Sequence, residues 1–438
     1  MLKLWQFTDL HLHLRENPEE LDSKPNVTAI LHSNEIIDAC LHAFLDEPDC
    51  DILLISGDLT QHGHPLEFRG VLEKLEAVQA KARELGLNKR VIAITASHDL
   101  KHEGEDFGPA LRRMFAQFGP DDAIAANDNG MAFVVMLAEG TSGSPGLRLL
   151  CVHDHEERNI SPPPWLPWAL EQVEAAKAAG DRIFGMTHRP SLPPTPIYPL
   201  LSSDGLVGDY QNTTRALANA GLPFMLTGHA HMHNIASVIT PEGNPYWDIN
   251  TSALVGWPGK FRVLEIDDGN VVHITSREIP HIPAFGELSS REFLRKTFET
   301  VHRDLFYGME HDFDMFCERL DRMIPPDPVV PYKRYVRWGG KLMNRLTLKG
   351  LSRLMGGFMR IPRDAKKVKF RDVIIDIMCN TASGEEPYGP DTGVGRAFML
   401  YGKRLRRLGA KLGNSDFPAF WLSLVYDPVD DDSVEIAL

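Results

Sequence analysis

Five short segments of this 438-residue chain bring carboxylates and imidazoles together: Asp9-Leu-His11, Asp58 in GDLTQHG, Ser97-His98-Asp99 in ITASHDLKH, His188 in THRP, and His229-Ala-His231 in GHAH. Imidazole and carboxylate are the side chains that zinc, iron and manganese share as ligands. The five cysteines are scattered and lack CxxC spacing, which argues against a thiolate-bound structural zinc. Alternate residues of an extended segment project to the same side, so the DxH and HxH pairs can each hold one ion. Gly57, Gly63 and Gly228 allow tight backbone turns beside them. Taken singly, each piece has a plainer reading. A strand-end aspartate most often caps a turn, and a lone histidine such as His188 is more often structural or solvated. Five such pieces, each at a strand end, favour the metal reading.

The elements that must position these residues can be read from periodicity. Short apolar runs at Leu2–Phe7, Asp51–Ser56, Arg90–Thr95, Met131–Leu137, Leu147–Val152, Arg182–Met186 and Pro223–Thr227 read as buried strands. Helical spacing occupies Ile30–Leu45, Glu67–Leu85, Pro109–Phe118, Trp165–Ala179 and Tyr210–Ala220 between them. After His231 the pattern turns to hairpins, with strands at Ile235–Ile239, Trp247–Asn250, Phe261–Ile266 and Val271–Ser276. This alternation predicts an α/β sandwich. Five of the strands end in the metal-type residues, at the edge where open α/β sheets place their ligands.

In that order, DLH, GDLTQHG, SHD, THRP and GHAH resemble the motif series of the calcineurin-like metallophosphoesterases, over about residues 1–277. HSNEIIDACLHAFL and GLPFMLTGHAHMHNI resemble phosphodiesterases of that superfamily with a helical C-terminal extension. The resemblance implies a four-layer αββα sandwich and two divalent transition metal ions (Mn, Fe or Zn). Asp9, His11 and His231 would hold the first ion, Asp58 would bridge, and Ser97, His188 and His229 would serve the second. A metal-bridging hydroxide would attack phosphorus in a phosphodiester or phosphomonoester. His98 would contact or protonate the reacting oxygens, with Asp99 orienting its imidazole. The sequence departs from the family at Ala96-Ser97, where the family has Gly-Asn. A serine hydroxyl is shorter than the amide, so the second site is expected to be weakened. Ser97 also sustains an alternative, a degenerate-site phospholigand-binding or membrane-associated regulatory protein. His62, His153 and His155 are additional candidates for substrate contact. Protein phosphatase, nuclease and nucleotide pyrophosphatase chemistry stay open, with nucleic acid entering only as a substrate.

The bulk composition fits an ordinary globular chain, 43% apolar and 24% charged. Unpaired cysteines, a strand starting almost at Met1 and no apolar run of about 18 residues lead us to expect a cytoplasmic protein. The net charge of −14 is unevenly spread. Pro331–Gly413 holds 19 Lys/Arg against 6 Asp/Glu, which leaves −27 on the remainder. Two domains are expected: residues 1–280 with the motifs, and a mostly helical, basic domain at 288–438. Within the latter, Lys341–Arg360 reads as one amphipathic helix with Leu348, Leu351, Leu354, Met355, Phe358 and Met359 on one side. Arg345, Lys349, Arg353 and Arg360 lie on the other, a pattern compatible with peripheral contact to an anionic membrane. The plainer reading is a helix packing on its own domain. The sequence does not define the oligomeric state.

Overall fold

The computed structural model describes residues 2–14, 27–100, 115–141, 144–153, 162–196, 198–201, 205–321, 330–357, 359–411 and 421–438. The chain divides into two compact units. The first contains residues 1–24, 28–294 and 430–438, and the second contains residues 25–27 and 295–429.

The first unit is built on β1 (Leu2–Phe7), α1 (Ser33–Asp46), β2 (Ile52–Ser56), α2 (Pro65–Glu84), β3 (Arg90–Ile94), β4 (Ala123–Ala126), β5 (Ala132–Ala138) and β6 (Leu147–Val152). It continues with α3 (Leu166–Ala179), β7 (Arg182–Met186), α4 (Tyr210–Ala220), β8 (Phe224–Thr227), β9 (Asn234–Ile239), β10 (Pro245–Asn250), β11 (Lys260–Ile266) and β12 (Val271–Glu278). A final strand, β13 (Val434–Ala437), joins it from the end of the chain.

One sheet has the order β13-β12-β11-β1-β2-β3 and the other β4-β5-β6-β7-β8-β10-β9. Every residue of ILLIS in β2 and FMLT in β8 is buried. Such uniform burial follows from central parallel strands covered on both faces, which therefore show no polar alternation. The inner faces meet through Leu4, Leu54, Ile92, Phe133, Leu149 and Phe184, among others. Each such side chain contributes about 1.5–3 kcal/mol when fully buried. On the outside of the second sheet, Val173 of α3 and Leu217 of α4 pack against Leu150 and Met225. Phe44 of α1 meets Trp5 of the first sheet, ring centroids 5.9 Å apart. The result is a four-layer αββα sandwich, with a smaller helical part in the C-terminal region. Of the expected helix Pro109–Phe118, residues 109–114 lie outside the described residues, and Ala116–Phe118 form a 3-10 turn.

The second unit contains α5 (Ser290–His311, its first turn in the first unit), α6 (Phe313–Asp321), α7 (Lys333–Arg345), α8 (Leu348–Leu354), α9 (Phe370–Ser383) and α10 (Gly393–Lys411). The expected single helix over Lys341–Arg360 is instead split between α7 and α8. Leu346 leaves the helical conformation, and the Thr347 side chain accepts from Gly350 N–H as a fresh N-cap. Leu348 is buried, and Leu351, Met355 and Met359 pack with Phe398 and Tyr401. Phe358 lies outside the described residues. The apolar stripe is thus largely spent on the unit's own core. No helix among the described residues is long and apolar enough to cross a membrane.

The expected helical domain 288–438 does not keep its last residues. β13 pairs antiparallel with β12, Val271 opposite Ala437 and Ile274 opposite Val434. Buried Asp431 accepts from Ile235 N–H (2.7 Å) and the Asn234 amide (3.2 Å), which holds this tail to the first unit.

Candidate metal centre

β1, β2 and β3 run parallel and stop level, with Phe7 opposite Ile55 and Ser56 opposite Ile94. β7 and β8 do the same in the other sheet, with Met186 opposite Leu226. The segments that follow them turn sharply. Asp9 (φ 50°), His11 (42°), Asp58 (49°), His229 (64°) and His231 (53°) are five of the seven non-glycine residues with positive φ among the described residues. Such conformations cost about 1–3 kcal/mol each and persist where the surroundings impose them. Here Asp9 N–H donates to Gly57 O (3.1 Å), His11 N–H to Asp58 O (3.0 Å) and His229 N–H to Asp9 Oδ2 (3.0 Å). Gly57 itself has φ 101°, and a Cβ there would lie 2.8 Å from His188 Nδ1.

The oxygens of Asp9 face different ways. Oδ2 accepts from Thr8 Oγ1 (2.8 Å) and His229 N–H, whereas Oδ1 lies 3.1 Å from His231 Nε2, 3.5 Å from His11 Nε2 and 3.7 Å from His188 Nε2. Asp58 repeats the pattern. Its Oδ1 accepts from His98 N–H (2.9 Å), and its Oδ2 is 3.0 Å from His188 Nε2. His188 Nδ1 donates to Ser56 O at 2.8 Å, so a neutral imidazole turns the Nε2 lone pair toward those carboxylates. His11 and His231 bring their Nε2 atoms within 3.1 Å of each other. Lone pairs facing lone pairs in a buried site repel unless a cation or extra protons intervene.

The protonation states favour the cation. Burial alone would raise Asp9, but His188 and His231 outweigh it and hold the carboxyl well below its usual range. Asp58 is also lowered: burial opposes this, and His188 and His98 prevail. Burial pushes His11 down, and burial with the His188 charge pushes His229 down to about 3. Ionised carboxylates together with the down-shifted imidazoles of His11 and His229 form a donor set suited to divalent transition metals. Ligand atoms of Asp9, His11 and His231 lie within 4.8 Å of one another, as do those of Asp58, His188 and His229, and those of His11, Asp58 and His98. The residues present therefore fit two ions, with Asp58 common to two of these groups.

Ser97 opens the turn Ser97–Leu100, next to the His98 N–H that binds Asp58. Asp99 differs from the expectation that it orients His98. Its carboxylate is buried and accepts from Thr60 N–H (2.9 Å), Thr60 Oγ1 (2.9 Å), Ala96 N–H (2.9 Å) and Leu59 N–H (3.3 Å). Burial and the neighbouring Asp58 push it up to about 7. Asp99 thus ties the GDLTQ loop to the end of β3. The Gln61 carbonyl positions His98 instead, accepting from Nδ1 at 2.9 Å. His153, expected as a substrate contact, lies at the end of β6 beside β3. It is buried, and its Nδ1 accepts from Thr95 N–H at 3.0 Å. His62 turns toward Glu67, and His155 lies outside the described residues.

Several supporting residues carried no recognisable signal in the sequence. Asn250 donates to Gly228 O (2.6 Å) and Thr227 Oγ1 (3.0 Å), holding the GHAH turn from the neighbouring strand. Buried Asp248 accepts from Thr227 Oγ1 and Ser191 Oγ, both at 2.7 Å. Thr8, adjacent to Asp9 in TDLH, could have been found as a hydroxyl beside a proposed ligand.

Two facing sheets with carboxylates and imidazoles at the ends of their parallel strands define a metallophosphoesterase sandwich. The sequence profile of the calcineurin-like phosphoesterases matches residues 2–233, just over half of the chain, and the protein belongs to that family. Membership carries the general activity, that of a metal-dependent phosphohydrolase. Similar solved structures include a dimetal phosphatase from Danio rerio, 11% identical over 63% of this chain and 96% of that one, TM-score 0.45. A purple acid phosphatase from yellow lupin is 11% identical over 63% and 51%, TM-score 0.40. A phosphopantetheinyl hydrolase from Mycobacterium tuberculosis is 15% identical over 57% and 89%, TM-score 0.32. No curated protein matches the sequence.

Proposed function

We propose that the protein is a two-cation phosphodiesterase. The observation that carries this reading is the convergence of His11, His231 and His188 Nε2 on single oxygens of Asp9 and Asp58. Asp9, His11 and His231 would hold one manganese, iron or zinc ion. Asp58 would be shared, and His188 and His229 would hold the second, with Ser97 a weak or water-mediated contributor. Two such cations acidify water and neutralise phosphoryl oxygens. His98 and His231, whose side chains are 25% and 33% exposed, form the accessible side of the group. With Nδ1 bound to Gln61 O, His98 turns Nε2 to within 4.0 Å of Asp58 Oδ2, where it can donate a proton to the leaving oxygen. The preference for diesters rests on the likeness of the HSNEIIDACLHAFL and GLPFMLTGHAHMHNI segments to phosphodiesterases.

Elemental analysis, run beside hydrolysis of bis- and mono-nitrophenyl phosphate with added Mn²⁺, tests the proposal. At least two metals per chain are expected, with faster diester than monoester turnover, and with a lower rate and lower metal content in Asp58→Ala. Faster monoester turnover would overturn the diester preference. Absence of turnover with any divalent metal would overturn the enzyme and favour the phospholigand-binding reading that Ser97 motivates.

A further inference from the structure

Beside the pair of candidate sites lies a second set of ligand-type side chains that phosphoester chemistry does not need. His13 follows β1, two residues beyond His11, while His62 and Glu67 belong to the loop after β2 and the first turn of α2. The two segments already touch through the bridge between Leu12 and Thr60 and through Gln61 N–H, which donates to Leu12 O at 3.1 Å.

We propose that His13, His62 and Glu67 form a third divalent-cation site, suited to zinc, that clamps the segment carrying Asp9 and His11 to the loop carrying Asp58. Glu67 is fully buried and has no lysine or arginine partner among the described residues. A buried carboxylate requires a compensating positive charge nearby.

The distances identify what fits between these groups. Glu67 Oε1 lies 3.4 Å from His13 Nδ1 and 3.3 Å from His62 Nδ1. Charge-assisted N–H···O bonds run at about 2.7–2.9 Å, so both contacts are long for hydrogen bonds. Ligands bound at about 2.0–2.2 Å in a tetrahedron are separated by roughly 3.3–3.5 Å, the spacing seen here. All three residues offer ligand atoms within 4.8 Å of one another.

The surroundings also suit a metal site. His62 N–H donates to Glu67 Oε2 at 2.9 Å, which leaves Oε1 to face the imidazoles and fixes the carboxylate's orientation. His13 is almost fully buried, so its imidazole is held in place against the Glu67 carboxylate. Two histidines and a glutamate leave a fourth position for water, a ligand set that zinc accepts readily.

Zinc stoichiometry measured by elemental analysis after equilibrium dialysis tests the site. Glu67→Gln/His62→Ala should bind one zinc fewer than the unaltered protein. Asp9→Asn/Asp58→Asn, which takes a carboxylate from each of the paired sites, should still bind one. Failure of the first variant to lose zinc, or complete loss in the second, overturns the proposal. If the second variant lost none while the first lost one, the two-cation reading would fail and the third site would stand. His62→Ala alone, at a side chain 23% exposed, guards against misfolding. Loaded with cobalt, it should lose part of the visible absorption of tetrahedral Co²⁺ while its far-ultraviolet dichroism stays unchanged. An unaltered cobalt spectrum in that variant also overturns the site.

Discussion

Gly228, the first residue of GHAH, offers a sharp test of how the centre is held. A Cβ built at this position overlaps the Thr8 hydroxyl, which bonds Asp9, and lies 2.6 Å from Asp9 Oδ2. Ordinary contact begins near 3.4 Å, so in Gly228→Ala the carboxylate must move by about 0.8 Å. The backbone cannot easily retreat, because Gly228 N–H donates to His188 O (2.8 Å) and its carbonyl accepts from Asn250. Because the carboxylate is rigid, displacing Oδ2 also displaces the Oδ1 that faces His231, His11 and His188. Overpacking of this kind costs about 1–3 kcal/mol of stability, and a misplacement near 1 Å costs on the order of 100-fold in rate. Gly180→Ala is the control. Gly180 has φ +74° with nothing within 4 Å, so it should lose only the roughly 1–2 kcal/mol of a left-handed alanine. Urea unfolding, bound metal and diester turnover should be measured for both variants. The reasoning is refuted if Gly228→Ala keeps normal metal content and turns over within a few-fold of the unaltered protein. It is refuted equally if Gly180→Ala loses as much metal.

Three further outcomes are expected. Ser97→Asn should raise affinity for the second metal, read by competition with a chelator, and unchanged affinity would remove Ser97 from the account of that site. His98→Gln should lower kcat by about 10²–10⁴-fold while leaving metal content intact, since its proposed role is with the substrate oxygen rather than the ions. Asp431→Ala strands the buried Ile235 N–H and the Asn234 amide. It should cost about 1–3 kcal/mol, seen as a lower urea midpoint with an unchanged slope.

The legible part of this protein was the part constrained by chemistry. Metal-type residues at strand ends stand out because each follows a short apolar run, and parallel strands bring distant ends together. Geometry inside the turns was not legible. Asp99 follows His98 directly, but the Ser97–Leu100 turn sends its carboxylate back to Thr60 and Ala96. His98 takes its orientation from a main-chain carbonyl, Gln61 O, which side-chain identity cannot reveal. The helix expected over Lys341–Arg360 kept its periodicity across a break, because residues on both sides of Thr347 bury apolar side chains. β4 and β13 went unread because each is a four-residue strand at the edge of its sheet. β13 also follows the acidic run Asp430-Asp431-Asp432, which reads as a solvated tail.

The return of the chain to pair β13 with β12 makes the whole helical unit the loop of a single antiparallel hairpin. As a disordered segment, residues 295–429 would impose a closure entropy on the order of 4 kcal/mol, from the logarithm of about 135 residues. Folding that segment into a compact unit restricts the separation of its ends before β13 docks, so the order of folding matters to the sheet. Docking in turn fixes Asn234 and Ile235, which begin β9 three residues after His231. Unfolding the helical unit therefore loosens the grip on the strand that leaves the GHAH turn, without any side chain of that unit having to touch a ligand.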